Sequence, residues 1–414
     1  MTLRESFEKP APMALAVRAA SAVGPFWLNA IRHALRDLAR GQLLVRLPDG
    51  REVCIRGTAP GPLAEVAIER TRALRRLVLG GDIGFAEAYL DGDWTSPDLA
   101  AVFELAACNR EVLGNRLDPW PGQRLLGRLA HVMKGNSRRG SRRNIAAHYD
   151  LGNDFYTAWL DPTMSYSAGI FAAGDDDLER AQERKYRRIC HELKLAPGQH
   201  VLEIGCGWGG FAEIAASEFG ARVSAITLSR EQRTYTEARM VAAGLADRVD
   251  VRYLDYRDLE GQYDHIVSIE MVEAVGEQFW PGYFETLFRC LRPGGRAVLQ
   301  SILIDAAYFE GYRQSPDFIQ RYIFPGGMLP TRELLLEHAE AAGLVPAGEL
   351  SFGTDYATTL AQWDRRFLDS WDEVRKLGFD ERFRRLWHYY LAYCEGGFRG
   401  GVIDVAQFTL DRPV

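Results

Sequence analysis

The sequence lacks long apolar runs, paired cysteines and any excess of positive charge, and each absence closes off a class of protein. The longest uncharged apolar stretch near its start, Ala19 to Ile31, is shorter than the roughly 20 residues a membrane-crossing helix requires. The opening residues include Arg4, Glu5, Glu8 and Lys9, which do not read as a secretory leader. Six cysteines (Cys54, Cys108, Cys190, Cys206, Cys290 and Cys394) are scattered without a C-x-x-C pair. That argues against a disulfide framework or a metal site, and fits reduced thiols in a cytoplasmic protein. The net charge is −6, so nucleic acid is not an expected partner. No internal repeat or low-complexity tract is present. What remains is 414 residues, 47% of them hydrophobic: enough for two domains with substantial cores.

The chain is organised around Val201-Leu202-Glu203-Ile204-Gly205-Cys206-Gly207-Trp208-Gly209-Gly210-Phe211. The apolar run from His200 to Ile204 reads as a buried parallel strand, and the residues after Phe211 have helical spacing. A strand, a glycine loop and a helix N-terminus make a nucleotide-cofactor site at the carboxyl end of a sheet. Gly205, Gly207 and Gly210 satisfy the dinucleotide pattern G-x-G-x-x-G. Glu203 and Gly209 also satisfy E-x-G-x-G-x-G, the loop of S-adenosylmethionine-dependent methyltransferases. An acid at 203 suits the ammonium of a zwitterionic ligand and would repel a pyrophosphate. About twenty residues on, where a nicotinamide site wants a ribose-binding acid, only Glu231 keeps that alternative open.

Upstream, Leu28, Ile31, Leu35 and Leu38 have helical spacing within residues 15–40. Two strand patterns flank Pro48-Asp49-Gly50 as a hairpin, Ala64 to Ile68 reads as a third strand, and helical patterns run from Ala73 to about Ala107. This small α+β module, residues 1–133, has no catalytic spacing and suits binding or positioning. Residues 134–144 hold Lys134, Arg138, Arg139, Arg142 and Arg143 without an acid. They read as a linker, solvated or in contact with anionic lipid head groups. Residues 145–414 alternate strands near 200–204, 222–227, 249–253, 264–269 and 296–302 with helices. The fold class is therefore α/β, a doubly wound, mostly parallel Rossmann-like sheet of seven strands, with late strands near Leu350 and Val402 to Leu410. A segment from about 303 to 400 is dense in Tyr, Phe and Trp, suggesting a long apolar substrate pocket.

Seven stretches in order carry a resemblance. They are His148-Tyr149-Asp150-Leu151-Gly152-Asn153-Asp154-Phe155, Met164-Ser165-Tyr166-Ser167, Thr227-Leu228-Ser229 with Gln232, Asp255-Tyr256-Arg257-Asp258, Glu270-Met271-Val272-Glu273-Ala274-Val275-Gly276, Tyr322-Ile323-Phe324-Pro325-Gly326-Gly327, and Asp355-Tyr356 with Thr358-Thr359. Together with the glycine loop they resemble the cyclopropane-fatty-acyl-phospholipid synthases and the related mycolic acid cyclopropane synthases. The resemblance implies methyl transfer from S-adenosylmethionine, which leaves as S-adenosylhomocysteine, to the cis double bond of an acyl chain in a membrane phospholipid. It places Tyr166 and Ser167 at the methionine end, and Glu203, Gly205, Gly207 and Gly209 along the cofactor. It also places Thr227 and Gln232 at the ribose, and Tyr256 and Arg257 at the adenine. A peripheral location at the inner membrane face and a homodimer are further expectations. There is no N-P-P-Y-type site for a planar nitrogen acceptor.

The family's cyclopropane synthases remove the final proton with a bicarbonate held by a Glu, a His, a Tyr, a Cys and an Ile backbone. Here Glu273, Tyr356 and Ile302 match, whereas the Cys position is Ala168 and the His position is Gln300. Gln300 can hydrogen-bond an anion but cannot relay a proton. Bicarbonate is therefore expected to bind weakly or to be replaced by water with Glu273 as base. Proton loss from the new methyl would give a cyclopropane; loss from a neighbouring carbon would give a methyl-branched or methylene chain. Cys394, in Tyr393-Cys394-Glu395-Gly396-Gly397-Phe398, matches a cysteine sometimes treated as a nucleophile and is expected to line the pocket. Glu270 is expected to support Glu273.

Overall fold

The computed structural model describes residues 35–113, 151–175 and 177–414, together with Asn29 and His33. Most of the helical pattern of residues 15–40, the basic stretch with Arg138, Arg139, Arg142 and Arg143, and the motif residues His148 to Asp150 lie outside the described residues.

The first sheet has four strands: β1 (Arg40–Arg46), β2 (Glu52–Arg56), β3 (Ala59–Ile68) and β4 (Trp94–Thr95), in the order β2-β1-β3-β4. β1 and β2 form the expected antiparallel hairpin, and the third strand is present but begins five residues earlier than its apolar pattern. The helical pattern after it is broken. Helices Arg72–Leu90 and Leu99–Cys108 are separated by β4, where Trp94 is fully buried and stacks on Phe85 at 4.1 Å.

The second sheet comprises β5 (His200–Ile204), β6 (Arg222–Thr227), β7 (Val249–Tyr253), β8 (Tyr263–Ile269), β9 (Leu291–Ile304), β10 (Val345–Ser351) and β11 (Ile403–Asp411). Its order is β10-β11-β9-β8-β5-β6-β7. β9, β8, β5, β6 and β7 run parallel, while β11 is antiparallel to β9 and β10 to β11. The chain winds from β5 to β7 in one direction and then crosses to β8. The β5–β8 junction is thus the topological switch point, where an open α/β sheet binds ligands at its carboxyl edge. Val201, Leu202, Val223, Ala225, Ile266 and Val267 are buried because helices cover both faces.

The two sheets share one apolar cluster, which runs from Val45 and Val66 through Leu90 and Phe103 to Trp363, Trp387 and Leu391. At its centre the helix Leu99–Cys108 crosses the helix Glu381–Arg399. The crossing is close because Gly396 has no side chain. A Cβ there would stand 2.4 Å from the Phe103 Cβ and 2.6 Å from the Glu104 nitrogen.

Candidate active site at the carboxyl edge of the central strands

β5 delivers its glycine loop to the switch point. Gly209, at φ +84°, caps the helix Gly210–Ser217, and a Cβ on it would lie 2.6 Å from the Thr236 methyl. Gly207, at φ +52°, has no atom within 4 Å of where its Cβ would be, so this part of the loop faces open space. Glu203 is buried, and its Oε2 has no hydrogen-bond partner. Burial holds its carboxyl well above the usual range, with Arg239 and Lys185 pulling the other way. A ligand cation would complete this carboxylate, as the sequence reading requires.

At the end of β6, the Thr227 hydroxyl donates to Gln232 Oε1 at 2.7 Å. The Gln232 amide nitrogen is thereby the end left for a ligand. Ser229 caps the next helix by accepting from the Gln232 backbone at 3.2 Å. Glu231, the acid on which the nicotinamide alternative depended, is exposed on that helix, whereas Gln232 is buried. Tyr256 packs edge-on to Tyr283 at 5.5 Å. The Arg257 guanidinium lies 5.5 Å from the centre of the Tyr256 ring and is held by Asp255 at 2.7 Å.

The residues Ala168, Gln300 and Tyr356, far apart in sequence, converge on one carboxylate. It is Glu270. Its Oε1 accepts from the Ala168 backbone N–H at 2.8 Å and from Gln300 Nε2 at 2.8 Å, and its Oε2 accepts from the Tyr356 hydroxyl at 2.7 Å. Gln300 is held in turn by Gln407 Nε2, which donates to its Oε1 at 2.9 Å, and Arg188 donates to Gln407 at 2.5 Å. Glu273 lies beside this cluster. Its Oε1 accepts from the Ile302 N–H at 2.6 Å and from the Ser301 hydroxyl at 3.1 Å, while its Oε2 is buried without a hydrogen-bond partner. Burial, and then the charge of Glu270, push the Glu273 carboxyl up to about 8. Burial also raises Glu270, against the pull of its donors and of Lys185.

Lys185 is a site residue the sequence reading missed. It is fully buried, and its Nζ donates to Ser167 Oγ at 2.6 Å and to Gln182 Oε1 at 2.5 Å. Burial pulls it down to about 7, while Glu270, Asp161 and Glu203 favour its charge. A signal existed: Lys185 falls on the stripe Leu178, Ala181, Ile189 that the helix Leu178–Glu192 turns inward.

Aromatic rings form the remaining wall. The Tyr166 and Tyr390 hydroxyls share a 2.8 Å hydrogen bond, and Trp159 and Trp363 flank Tyr166 at 5.6 and 5.2 Å. Tyr156 packs at 4.9 Å on Trp208 of the glycine loop, which ties the wall to the cofactor side. Phe398 lies 4.6 Å from Tyr356. Cys394 is half-buried in this wall, and burial pushes its thiol up, so it is not poised as a thiolate.

The described residues thus present a glycine loop open to a ligand, a paired carboxylate cluster and an aromatic enclosure. The family described as mycolic acid cyclopropane synthetase matches residues 136–408. Tuberculostearic acid methyltransferase UfaA1 of Mycobacterium tuberculosis is 41% identical over 369 residues, covering 86% of each chain. The cyclopropane-fatty-acyl-phospholipid synthase of Escherichia coli K12 is 36% identical over 366 residues, covering 87% of this chain and 91% of that one. Among solved structures, mycolic acid cyclopropane synthase CmaA1 complexed with S-adenosylhomocysteine and CTAB aligns with a TM-score of 0.61 at 30% identity, over 66% of this chain and 98% of its own. The chain belongs to the mycolic acid cyclopropane synthetase family and is an S-adenosylmethionine-dependent methyltransferase.

Proposed function

We propose that the protein methylates the cis double bond of an unsaturated fatty acyl chain carried by a membrane phospholipid. The observation that carries this reading is the juxtaposition of the glycine loop, two half-buried carboxylates and a wall of aromatic rings. An alkene is a weak nucleophile and needs no deprotonation before it attacks, so the site has to align it and keep it dry. The cofactor supplies an electrophilic methyl on a sulfonium. Glu203, Gly205, Gly207 and Gly209, with Tyr166, Ser167, Thr227, Gln232, Tyr256 and Arg257, would hold it. The acyl chain becomes a cation, which the faces of Tyr166, Trp159 and Trp363 would stabilise through their quadrupoles. One of the two carboxylates then takes the proton.

Ring closure to a cyclopropane is the outcome that the family's description names. A methyl-branched or methylene product is a second reading, supported by the departures at Ala168 and Gln300 and by the relative at 41% identity being named a methyltransferase, not a cyclopropane synthase. The basic residues Arg138, Arg139, Arg142 and Arg143 would meet anionic head groups at the inner membrane face. No helix among the described residues is long and apolar enough to cross a membrane, consistent with a peripheral contact. We extend the proposal to a homodimer.

The test is to incubate the enzyme with S-adenosylmethionine and mono-unsaturated phospholipid vesicles, then examine the lipids by mass spectrometry and NMR. A gain of one methylene with cyclopropane protons supports ring closure. The same gain with a surviving alkene supports branching. No gain refutes the phospholipid substrate.

A further inference from the structure

The resemblance places a bound bicarbonate among Glu273, Tyr356, the Ile302 backbone and positions 168 and 300. The residues present do not fit it. The Ala168 N–H, the Gln300 amide and the Tyr356 hydroxyl all donate to Glu270, and the Ile302 N–H donates to Glu273. Each donor that would bind a dissolved anion already holds a carboxylate of the chain. A dissolved anion would also sit against the Glu270 carboxylate, where like charges repel strongly.

We propose that Glu270 is the built-in anion of this active site. Its carboxylate stands where the bicarbonate would be held, and it is the proton acceptor that ends the reaction. The inference rests on the methyl-transfer reading above and assigns the base within it. After methyl transfer, a C–H bond of the acyl cation breaks. Its electron pair either closes the three-membered ring or forms a new double bond, and the proton passes to a Glu270 oxygen. The carboxylic acid so formed returns its proton to water once the product has left. No dissolved co-reactant is consumed.

The backbone supports the assignment independently. Glu270 has φ +50°, in the left-handed region that costs a side chain energy and suits glycine. It is held there by its own N–H, which donates to the Gln300 carbonyl at 2.7 Å, and by the three bonds to its carboxylate. Strain maintained by convergent hydrogen bonds around a single carboxylate is the pattern of a functional group. Both oxygens of Glu270 accept, which favours its ionised form. Burial, and then the charge of Glu270, push the Glu273 carboxyl up to about 8, which favours Glu273 as the member of the pair that carries a proton.

Glu270→Gly is the informative variant, because glycine suits the backbone and its missing side chain leaves a hole lined by three donors. Wild-type enzyme and variant are compared on vesicle lipid in buffer depleted of carbon dioxide and again with bicarbonate restored. The wild-type rate is expected to be the same in both. E270G should lose on the order of 100-fold in depleted buffer, as expected for removal of a general base, and recover when bicarbonate fills the hole. Bicarbonate should likewise raise the melting temperature of E270G and leave that of the wild type unchanged. E270Q, which fills the same volume, should be impaired and not rescued. Stimulation or thermal stabilisation of the wild type by bicarbonate would overturn the proposal, as would full activity of E270G in depleted buffer. If the wild type transfers no methyl to vesicle lipid, the functional reading fails, and the melting comparison still decides whether Glu270 occupies the anion site. Should E270G fail to fold, the wild-type and E270Q responses decide alone.

Discussion

Replacing Gly396 by alanine tests how the two sheets are joined. In an unobstructed helix this change stabilises by about 1 kcal/mol, because glycine loses the most backbone freedom on folding. Here the new Cβ would meet Phe103 Cβ at 2.4 Å, the Glu104 nitrogen at 2.6 Å and the Ala100 carbonyl oxygen at 2.8 Å. Two of those three atoms are backbone within the helix Leu99–Cys108 and cannot swing aside. The overpacking cost is therefore taken at the upper end of its range, about 3 kcal/mol, for a net loss of roughly 2 kcal/mol. For a chain of this size that corresponds to a fall in melting temperature of roughly 4 °C. Gly311→Ala is the control, since it lies within the helix Ala306–Gln314 with no atom within 4 Å of the added carbon. It should melt at or above the wild-type temperature. Differential scanning calorimetry of both variants decides. A G396A protein as stable as G311A would refute the close crossing.

Other consequences concern the carboxylates and the thiol. Tyr356→Phe removes a donor that favours ionised Glu270, so the Glu270 pKa rises and the acid limb of the pH–rate profile should move to higher pH. An unshifted limb would separate Tyr356 from the base. Glu273 has a folded pKa of about 8, above its usual 4.5. Its contribution to stability is fully present below pH 4.5 and is lost as the pH rises through 8. Glu273→Gln cannot lose that proton, so its melting temperature relative to the wild type should climb across this window, as thermal melts at stepped pH would reveal. Cys394→Ala should retain activity within about tenfold, since its protonated thiol is a poor nucleophile. A loss approaching complete inactivation would restore a covalent role.

The sheet was legible because its signals are local. The apolar runs at 200–204 and 222–227, and the glycines that follow the first, can each be read within a dozen residues. The split of the Ala73–Ala107 helical pattern was not, because Trp94 owes its strand conformation to pairing with Ile68 and its burial to Phe85. The site divides in the same way. Ala168, Gln300 and Tyr356 could be singled out one by one, but nothing in the sequence shows that they point at the same oxygen pair. Glu270 read as a supporting acid because its role depends on contacts 102, 30 and 86 residues away and on a left-handed backbone that no residue pattern announces. Lys185 was hidden by its type, since lysine on an amphipathic helix is expected in solvent.

The helix Glu381–Arg399 is a party wall. One side carries Cys394 and Tyr390, whose hydroxyl bonds Tyr166 in the aromatic wall of the candidate site; the other presents Tyr389 and Gly396 to Phe103 of the helix Leu99–Cys108. Replacing residues 40–113 with those of a relative would therefore shift that aromatic wall from behind, without altering a single residue of the wall. Cutting those residues away would leave Tyr389, Tyr393 and Phe318 facing water as an adhesive aromatic patch. A workable chimera has to carry both faces of this helix, inheriting Phe103 and Gly396 together.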